Sequence, residues 1–265
     1  MYVSRISSER RHAEIIAKEP AGLGATRANL SRLLRTLDFV GWSTHEESGR
    51  LDRRALTRYA TGSANIFSRR DIKESEKTAV SILIDCSGSM EGNRIDIAQS
   101  VAVHLSRLLN RARVPFAVTG FHRDRGTWKN VNTETAVISV PTFIPFKRWG
   151  ESYGKAIPKL GAINACAYGG TPDYSAIHNA LDEISLREEN RKLLFVLTDA
   201  EGYAVQQIQH LQKLADSLGV TIIAIGVGYT DVEKCFTNAE NVCDIKDLAS
   251  ASFNRLLKTV EKGIR

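Results

Sequence analysis

The stretch Ala79-Val80-Ser81-Ile82-Leu83-Ile84-Asp85-Cys86-Ser87-Gly88-Ser89-Met90 begins as a strand and ends as something else. Its aliphatic and β-branched run reads as a strand covered on both faces. It then delivers one carboxylate, Asp85, and two hydroxyls, Ser87 and Ser89, at every second position around Gly88. A strand ending at Asp85 carries its carboxylate beyond the carboxyl edge of a sheet, and the turn loosened by Gly88 lets both serines face the same side. One anionic and two neutral oxygens suit a hard cation such as Mg²⁺ or Mn²⁺ and not a thiophilic metal.

Outward from this stretch, short β-branched runs alternate with amphipathic segments, the pattern of a doubly wound, mostly parallel α/β sheet of about six strands flanked by helices. Strands are expected near 78–85, 114–121, 192–198 and 220–226, with further ones at 136–140 and 241–245. Helices are expected near 93–111, 173–187, 203–218 and 246–263. In the first helix Ile97, Val101, Leu105, Leu108 and Leu109 recur at helical spacing and form a buried stripe. Between these elements, residues 122–170 are the least regular part, punctuated by Pro141, Pro145 and Pro158. Part of it is expected to be loop. Trp128, Phe143, Phe146, Trp149 and Tyr153 read first as packing residues, an exposed subset of which would suit a partner contact.

Residues 1–77 read as a mostly helical arm that packs on the main domain at 78–265. Leu30, Leu33, Leu34 and Leu37 give one periodic segment, and Asp52 signals a second helix start. The arm holds 15 Lys and Arg against 10 Asp and Glu, whereas the remainder is nearly balanced at 21 against 20, so the basic excess belongs to the arm. Its arginines are not interleaved with stacking aromatics and accompany no helix-turn-helix or RNA-binding motif, which argues against nucleic acid. An acidic protein surface, or plain solvation, suits them better.

The bulk composition, 43% hydrophobic and 25% charged over 265 residues, is that of an ordinary globular protein. Apolar runs such as 193–197 and 220–227 are far shorter than the roughly 18 residues a membrane helix needs. The charged N-terminus lacks an apolar signal core, so a cytoplasmic location is expected. The four cysteines, at 86, 166, 235 and 243, form no CxxC pair, and the six histidines show no zinc spacing. No GxxxxGK[ST] phosphate loop is present, which argues against nucleotide binding by this chain.

Two further segments offer oxygens to the site begun by Asp85. They are Tyr168-Gly169-Gly170-Thr171-Pro172-Asp173 and Leu197-Thr198-Asp199-Ala200-Glu201-Gly202. Thr171 precedes a proline at a helix start and could be only its N-cap. Asp173 reads as a first-turn acid favourable to the helix dipole. Asp199 follows a buried run and should emerge at the carboxyl end of a central strand. The strands carrying Asp85 and Asp199 could flank the crevice where strand order reverses. Glu201 and Asp231 read as solvated acids with a possible outer role.

In this order, D-x-S-x-S at residues 85–89, then Gly169-Gly170-Thr171, then Thr198-Asp199, the chain resembles a von Willebrand factor A (VWA) domain with a complete metal-ion-dependent adhesion site. The resemblance covers about 78–265. It implies that Asp85, Ser87, Ser89, Thr171 and Asp199 hold a divalent ion, Mg²⁺ or Mn²⁺, directly or through water, with one position open to a partner's carboxylate. With the flanks included, residues 48–90, 92–121 and 222–260 resemble the C-terminal part of the CobT subunit of aerobic cobaltochelatase. That resemblance implies a non-catalytic subunit partnered by a hexameric AAA+ ATPase of CobS type and a large CobN-type subunit that inserts cobalt into a corrin ring in cobalamin biosynthesis. A related AAA+ machine with another client is the broader form of the same reading.

Two other classes compete. A stand-alone adhesion module would use the same metal site, but the cysteine count and the absent signal core weigh against it. A phosphatase with Asp85 as nucleophile would want a second aspartate where Ser87 stands.

Overall fold

The computed structural model describes residues 4–18, 24, 28, 40–46, 48–51, 67–72, 78–123, 141–201, 203–228, 230–244 and 246–247. The strand expected at 136–140, the leucine segment at 30–37, the start at Asp52, Trp128 and nearly all of the helix expected at 246–263 lie outside these residues.

Strand β4 (Thr78–Asp85) is buried at all eight positions, as its unbroken apolar run requires. It pairs in parallel with β5 (Phe116–Arg123) on one side and with β7 (Arg191–Thr198) on the other. Together with β6 (Pro141–Lys147), β8 (Val220–Val227) and β9 (Ala239–Val242) they form one six-stranded sheet in the order β6-β5-β4-β7-β8-β9. Only β6 runs antiparallel. The chain moves outward from β4 to β6 and then returns to β7 on the far side. Strand order therefore reverses between β4 and β7, where a doubly wound sheet opens its crevice.

Alternate residues of β4 feed two cores. Ile82 and Ile84 pack in the cluster that includes Ile97, Val101, Leu105 and Leu109 of helix α2 (Asn93–Arg111) and Leu160 of helix α3 (Tyr153–Gly161). Leu83 faces the opposite cluster, with Ile177 and Leu181 of α4 (Asp173–Ser185) and Ile208 and Leu211 of α5 (Val205–Ser217). Each such fully buried aliphatic contributes about 1.5–3 kcal/mol of transfer free energy. Leu108, expected in the stripe of α2, is only partly buried at its edge.

Within the segment 122–170, residues 141–170 carry regular structure. Its apolar residues build β6 and α3. Pro141 and Pro145 are tolerated because β6 is an edge strand paired only to β5 and so need not donate on its outer side, while Pro158 lies inside α3. Phe146 is buried against this sheet, while Phe143 and Trp149 are partly covered.

Helix α1 (Arg5–Ala17) starts at Ser4, whose hydroxyl accepts from the Ser7 N–H. It lies on α3 and α2. His12 Nε2 is 2.9 Å from the Tyr153 hydroxyl, and Arg11 reaches Gln99 Oε1 at 2.9 Å and the carboxylate of Asp96. At the crossing, a Cβ on Gly161 would overlap the carbonyl of Ser8, so glycine is what allows the two backbones to meet.

Residues 35–76 form a separate compact unit. Within it β1 (Val40–Glu46), β3 (Phe67–Ile72) and β2 (Arg50–Leu51) make an antiparallel sheet in the order β1-β3-β2. The expectation of a mostly helical 1–77 therefore fails at 40–46, 50–51 and 67–72. Val40, Trp42, Thr44, Phe67 and Ile72 favour strands, and Gly49 at φ 139° supplies the turn between β1 and β2.

Candidate metal centre at the carboxyl edge of the sheet

Asp85 and Asp199 leave the carboxyl ends of adjacent parallel strands, since Ile84 is in register with Leu197. Asp85 is fully buried and both of its oxygens are held. Ser87 N–H donates to Oδ1 at 2.9 Å and Thr198 Oγ1 donates to Oδ2 at 2.9 Å. Burial pushes its carboxyl up to about 6, the hydrogen bonds from Ser87 and Thr198 oppose the rise, and the charge of Asp199 adds to it. A carboxylate so enclosed is a poor nucleophile, which weakens the phosphatase reading.

The Asp199 side chain is 1% exposed. Its Oδ1 accepts from Glu201 N–H at 3.2 Å, and Ala200 N–H donates to Thr198 Oγ1 at 2.9 Å. These two bonds fold residues 198–201 into a turn with Ala200 at φ 52°, a left-handed conformation unusual for alanine. Asp199 Oδ2 accepts from Arg94 Nη1 at 2.9 Å.

Ser87 and Ser89 meet as the spacing around Gly88 suggests, with their Oγ atoms 3.0 Å apart. The segment carrying Thr171 is stitched to both neighbouring strand ends. Tyr168 N–H donates to Cys86 O at 2.9 Å, Gly88 N–H to Gly169 O at 3.0 Å, and Gly170 and Arg123 exchange backbone bonds at 2.8 and 3.1 Å. Gly169 sits at φ 83°, and a Cβ there would run into the Arg123 carbonyl. Thr171 is half-buried in this loop. It is not the N-cap of α4, because that position falls to Pro172 and no side chain caps the helix. Asp173 does stand in the first turn, its carboxyl raised by burial.

The donor set fits a small hard cation. Two ligands at right angles and about 2.1 Å from one ion lie roughly 3.0 Å apart, whereas calcium distances would spread them further. Ser87 Oγ and Ser89 Oγ are hydrogen-bonded to each other at 3.0 Å, a separation that two such ligands of a small ion would also have. Among the described residues no group of three or more His, Cys, Asp or Glu side chains comes together as a metal site.

Three neighbours were not foreseen. Thr198 could have been suspected from its place before Asp199 at a strand end. Arg94, in the first turn of α2, carries no sequence signal that separates it from a solvated arginine. Tyr203 is buried, and burial pushes its phenol well above the usual value, with the charge of Asp85 adding to the rise. Its hydroxyl meets hydrogen-bond geometry with no described residue, and the nearby Thr198 hydroxyl is already donated to Asp85. Glu201 accepts from Arg94 at 3.2 Å, while Asp231 pairs with Lys234 at 3.0 Å on the surface.

Residues 66–142 match the family model described as "Cobalamin biosynthesis protein CobT VWA domain". The matched span carries Asp85, Ser87 and Ser89 and stops short of Thr171 and Asp199. Among solved structures, the chain is similar to the pilus adhesin SpaC of Lactobacillus rhamnosus GG in an open conformation, with TM-score 0.51 and 16% identity over 72% of this chain and 31% of that one. It is also similar to the PilB minor pilin of Streptococcus sanguinis, with TM-score 0.51 and 13% identity over 75% of this chain and 65% of that one. A manganese-loaded Plasmodium vivax TRAP protein aligns with TM-score 0.45 and 17% identity over 70% of this chain and 74% of that one. At these identities the likeness concerns the fold. No helix among the described residues is long and apolar enough to cross a membrane.

Proposed function

We infer that this chain is a metal-dependent protein-binding subunit whose VWA-type domain recognises an acidic side chain of a partner. The observation that carries the reading is the pair of hydroxyls, Ser87 and Ser89, set 3.0 Å apart beside the two buried carboxylates of Asp85 and Asp199. Asp85, Ser87, Ser89, Thr171 and Asp199 would hold a divalent ion, with Mg²⁺ and Mn²⁺ both suited. When bound, the ion supplies an electrophilic position for a carboxylate oxygen.

The residues of the chain supply the rest. Thr198 and the Ser87 N–H fix the Asp85 carboxylate in one orientation, so no side-chain freedom remains to be lost on binding. Gly88 and Gly169 draw the Thr171 loop against the end of β4. Because β4 and β7 are held in one rigid sheet, the site is preorganised for its ligand.

The matched model is that of a CobT VWA domain; on the resemblance to CobT we further propose a partnership with a CobS-like AAA+ ATPase, and with a CobN-like subunit, in a cobaltochelatase-type complex of cobalamin biosynthesis or a related AAA+ machine. In that setting the chain would be the coupling subunit and would not hydrolyse nucleotide itself. The test is Mg²⁺-dependent co-elution with the cognate ATPase. Wild-type protein should co-elute with Mg²⁺ and not with EDTA, and Asp85→Ala and Ser87→Ala should abolish the difference. Association that is indifferent to EDTA and to both variants would remove the metal from the partnership.

A further inference from the structure

Arg94 stands where the acid-binding site needs positive charge. Its Nη1 alone serves three acceptors, Asp199 Oδ2 at 2.9 Å, Ser89 O at 3.2 Å and Glu201 Oε2 at 3.2 Å. Its Nε and Nη2 have no hydrogen-bond partner among the described residues, and the side chain is 40% exposed. A guanidinium presents Nε and Nη2 as a parallel pair of donors that matches the two oxygens of a carboxylate. The side chain is thus fastened to the site by one nitrogen while its carboxylate-binding edge remains uncommitted.

The charge count points the same way. A divalent ion with Asp85 and Asp199 is neutral as a group, so by itself it offers an incoming anion little net attraction. Glu201, the other acid on Arg94, is 66% exposed and its charge is screened by water. Counted with Glu201 the cluster is neutral, so what Arg94 adds is a local positive charge beside the buried carboxylates, carried on its uncommitted donor edge.

Resting on the metal-dependent reading above, we propose that Arg94 is a second receptor group of the same site, and that the ligand is an acidic peptide segment bearing two carboxylates, one for the ion and one for the free edge of Arg94. Asp199 is then held by the same guanidinium that selects the ligand, which places ion retention and partner recognition on one side chain.

The test uses the full chain at saturating Mn²⁺ and two probes, acetyl-Glu-Gly-Glu-amide and acetyl-Glu-Gly-Gln-amide, with binding read by calorimetry and by release of water from Mn²⁺. Wild type should prefer the doubly acidic peptide by roughly tenfold, the scale of one added charge-assisted contact. Arg94→Gln should bring the ratio to about one, and Arg94→Lys, which keeps the charge without the paired donors, should fall between. An unchanged ratio in Arg94→Gln, or no preference in wild type, overturns the proposal. If neither Arg94 variant retains Mn²⁺ while wild type does, Arg94 is only an anchor for Asp199 and the proposal also falls. A wild type that takes up no Mn²⁺ at all overturns the metal-dependent reading itself, a result distinct from the others.

Discussion

Thr198 Oγ1 donates to Asp85 Oδ2 at 2.9 Å, tying the carboxyl ends of the two central strands where their order reverses. Both groups are buried, and Thr198 is fully enclosed. Replacing it with valine keeps the shape and removes the donor, which leaves an unmatched oxygen on a buried carboxylate. The expected loss is about 1.5–3 kcal/mol of stability. Urea denaturation of metal-free protein measures it, and Thr198→Ser should recover most of the loss because the hydroxyl returns.

The raised Asp85 carboxyl gives the metal-free protein a particular pH dependence. Its folded value of about 6 lies above the roughly 3.9 of an unfolded aspartate, so the folded state holds the proton more tightly. The stability this group contributes is full below about pH 4 and is lost as pH rises through about 6, a change of about 3 kcal/mol. Comparing wild type with Asp85→Asn in EDTA from pH 4 to 7 isolates it. The asparagine variant should gain on wild type across that window. Because a proton and a cation compete for the same carboxylate, stabilisation of wild type by added Mn²⁺ should grow over the same interval. A flat difference between the two proteins would mean that Asp85 does not titrate there.

The glycines of the 168–171 loop are expected to matter more than their lack of side chain suggests. Gly169→Ala places a methyl against the Arg123 carbonyl and forces a left-handed φ of 83° on alanine. The backbone bonds that hold this loop to Cys86 and Gly88 should loosen, displacing Thr171. The expected outcome is at least a tenfold weaker Mn²⁺ affinity, about 1.4 kcal/mol, with the sheet intact by circular dichroism. Gly154→Ala, where an added Cβ meets nothing within 4 Å, is the control and should bind as wild type does.

How far the sequence could be read follows from which interactions are local. The unbroken apolar runs of β4, β7 and β8 and the helical stripe of α2 declare themselves locally, and the four elements lie close to where those patterns place them. The nearness of Asp85 and Asp199 follows from β4 and β7 being neighbours, which the alternation of elements allowed but did not fix. What stayed hidden depends on tertiary partners. Prolines made β6 look like loop because nothing local tells an edge strand from a turn. Residues 40–72 read as part of a helical arm because the charged residues among them obscured the strand formers. Arg94 reads as one more surface arginine until Asp199 and Glu201, more than a hundred residues away, are folded against it.

The contact between α1 and α3 gives a prediction that separates folding of the arm from the metal site. Gly161 packs under the Ser8 carbonyl, and a methyl there has no room, so Gly161→Ala must push α1 outward or distort the end of α3. The contacts at stake include the Tyr153 hydroxyl with His12 and the links from Arg11 to Asp96 and Gln99. Overpacking of this kind costs about 1–3 kcal/mol. The β4–β7 pairing that carries Asp85 and Asp199 to the site does not involve Gly161. Gly161→Ala should therefore expose α1 to limited proteolysis and lower the melting temperature while leaving Mn²⁺ affinity within about threefold of wild type. Cleavage unchanged from wild type would show that the helix crossing absorbs the methyl, and a parallel collapse of Mn²⁺ binding would show that α1 supports the metal centre through α2.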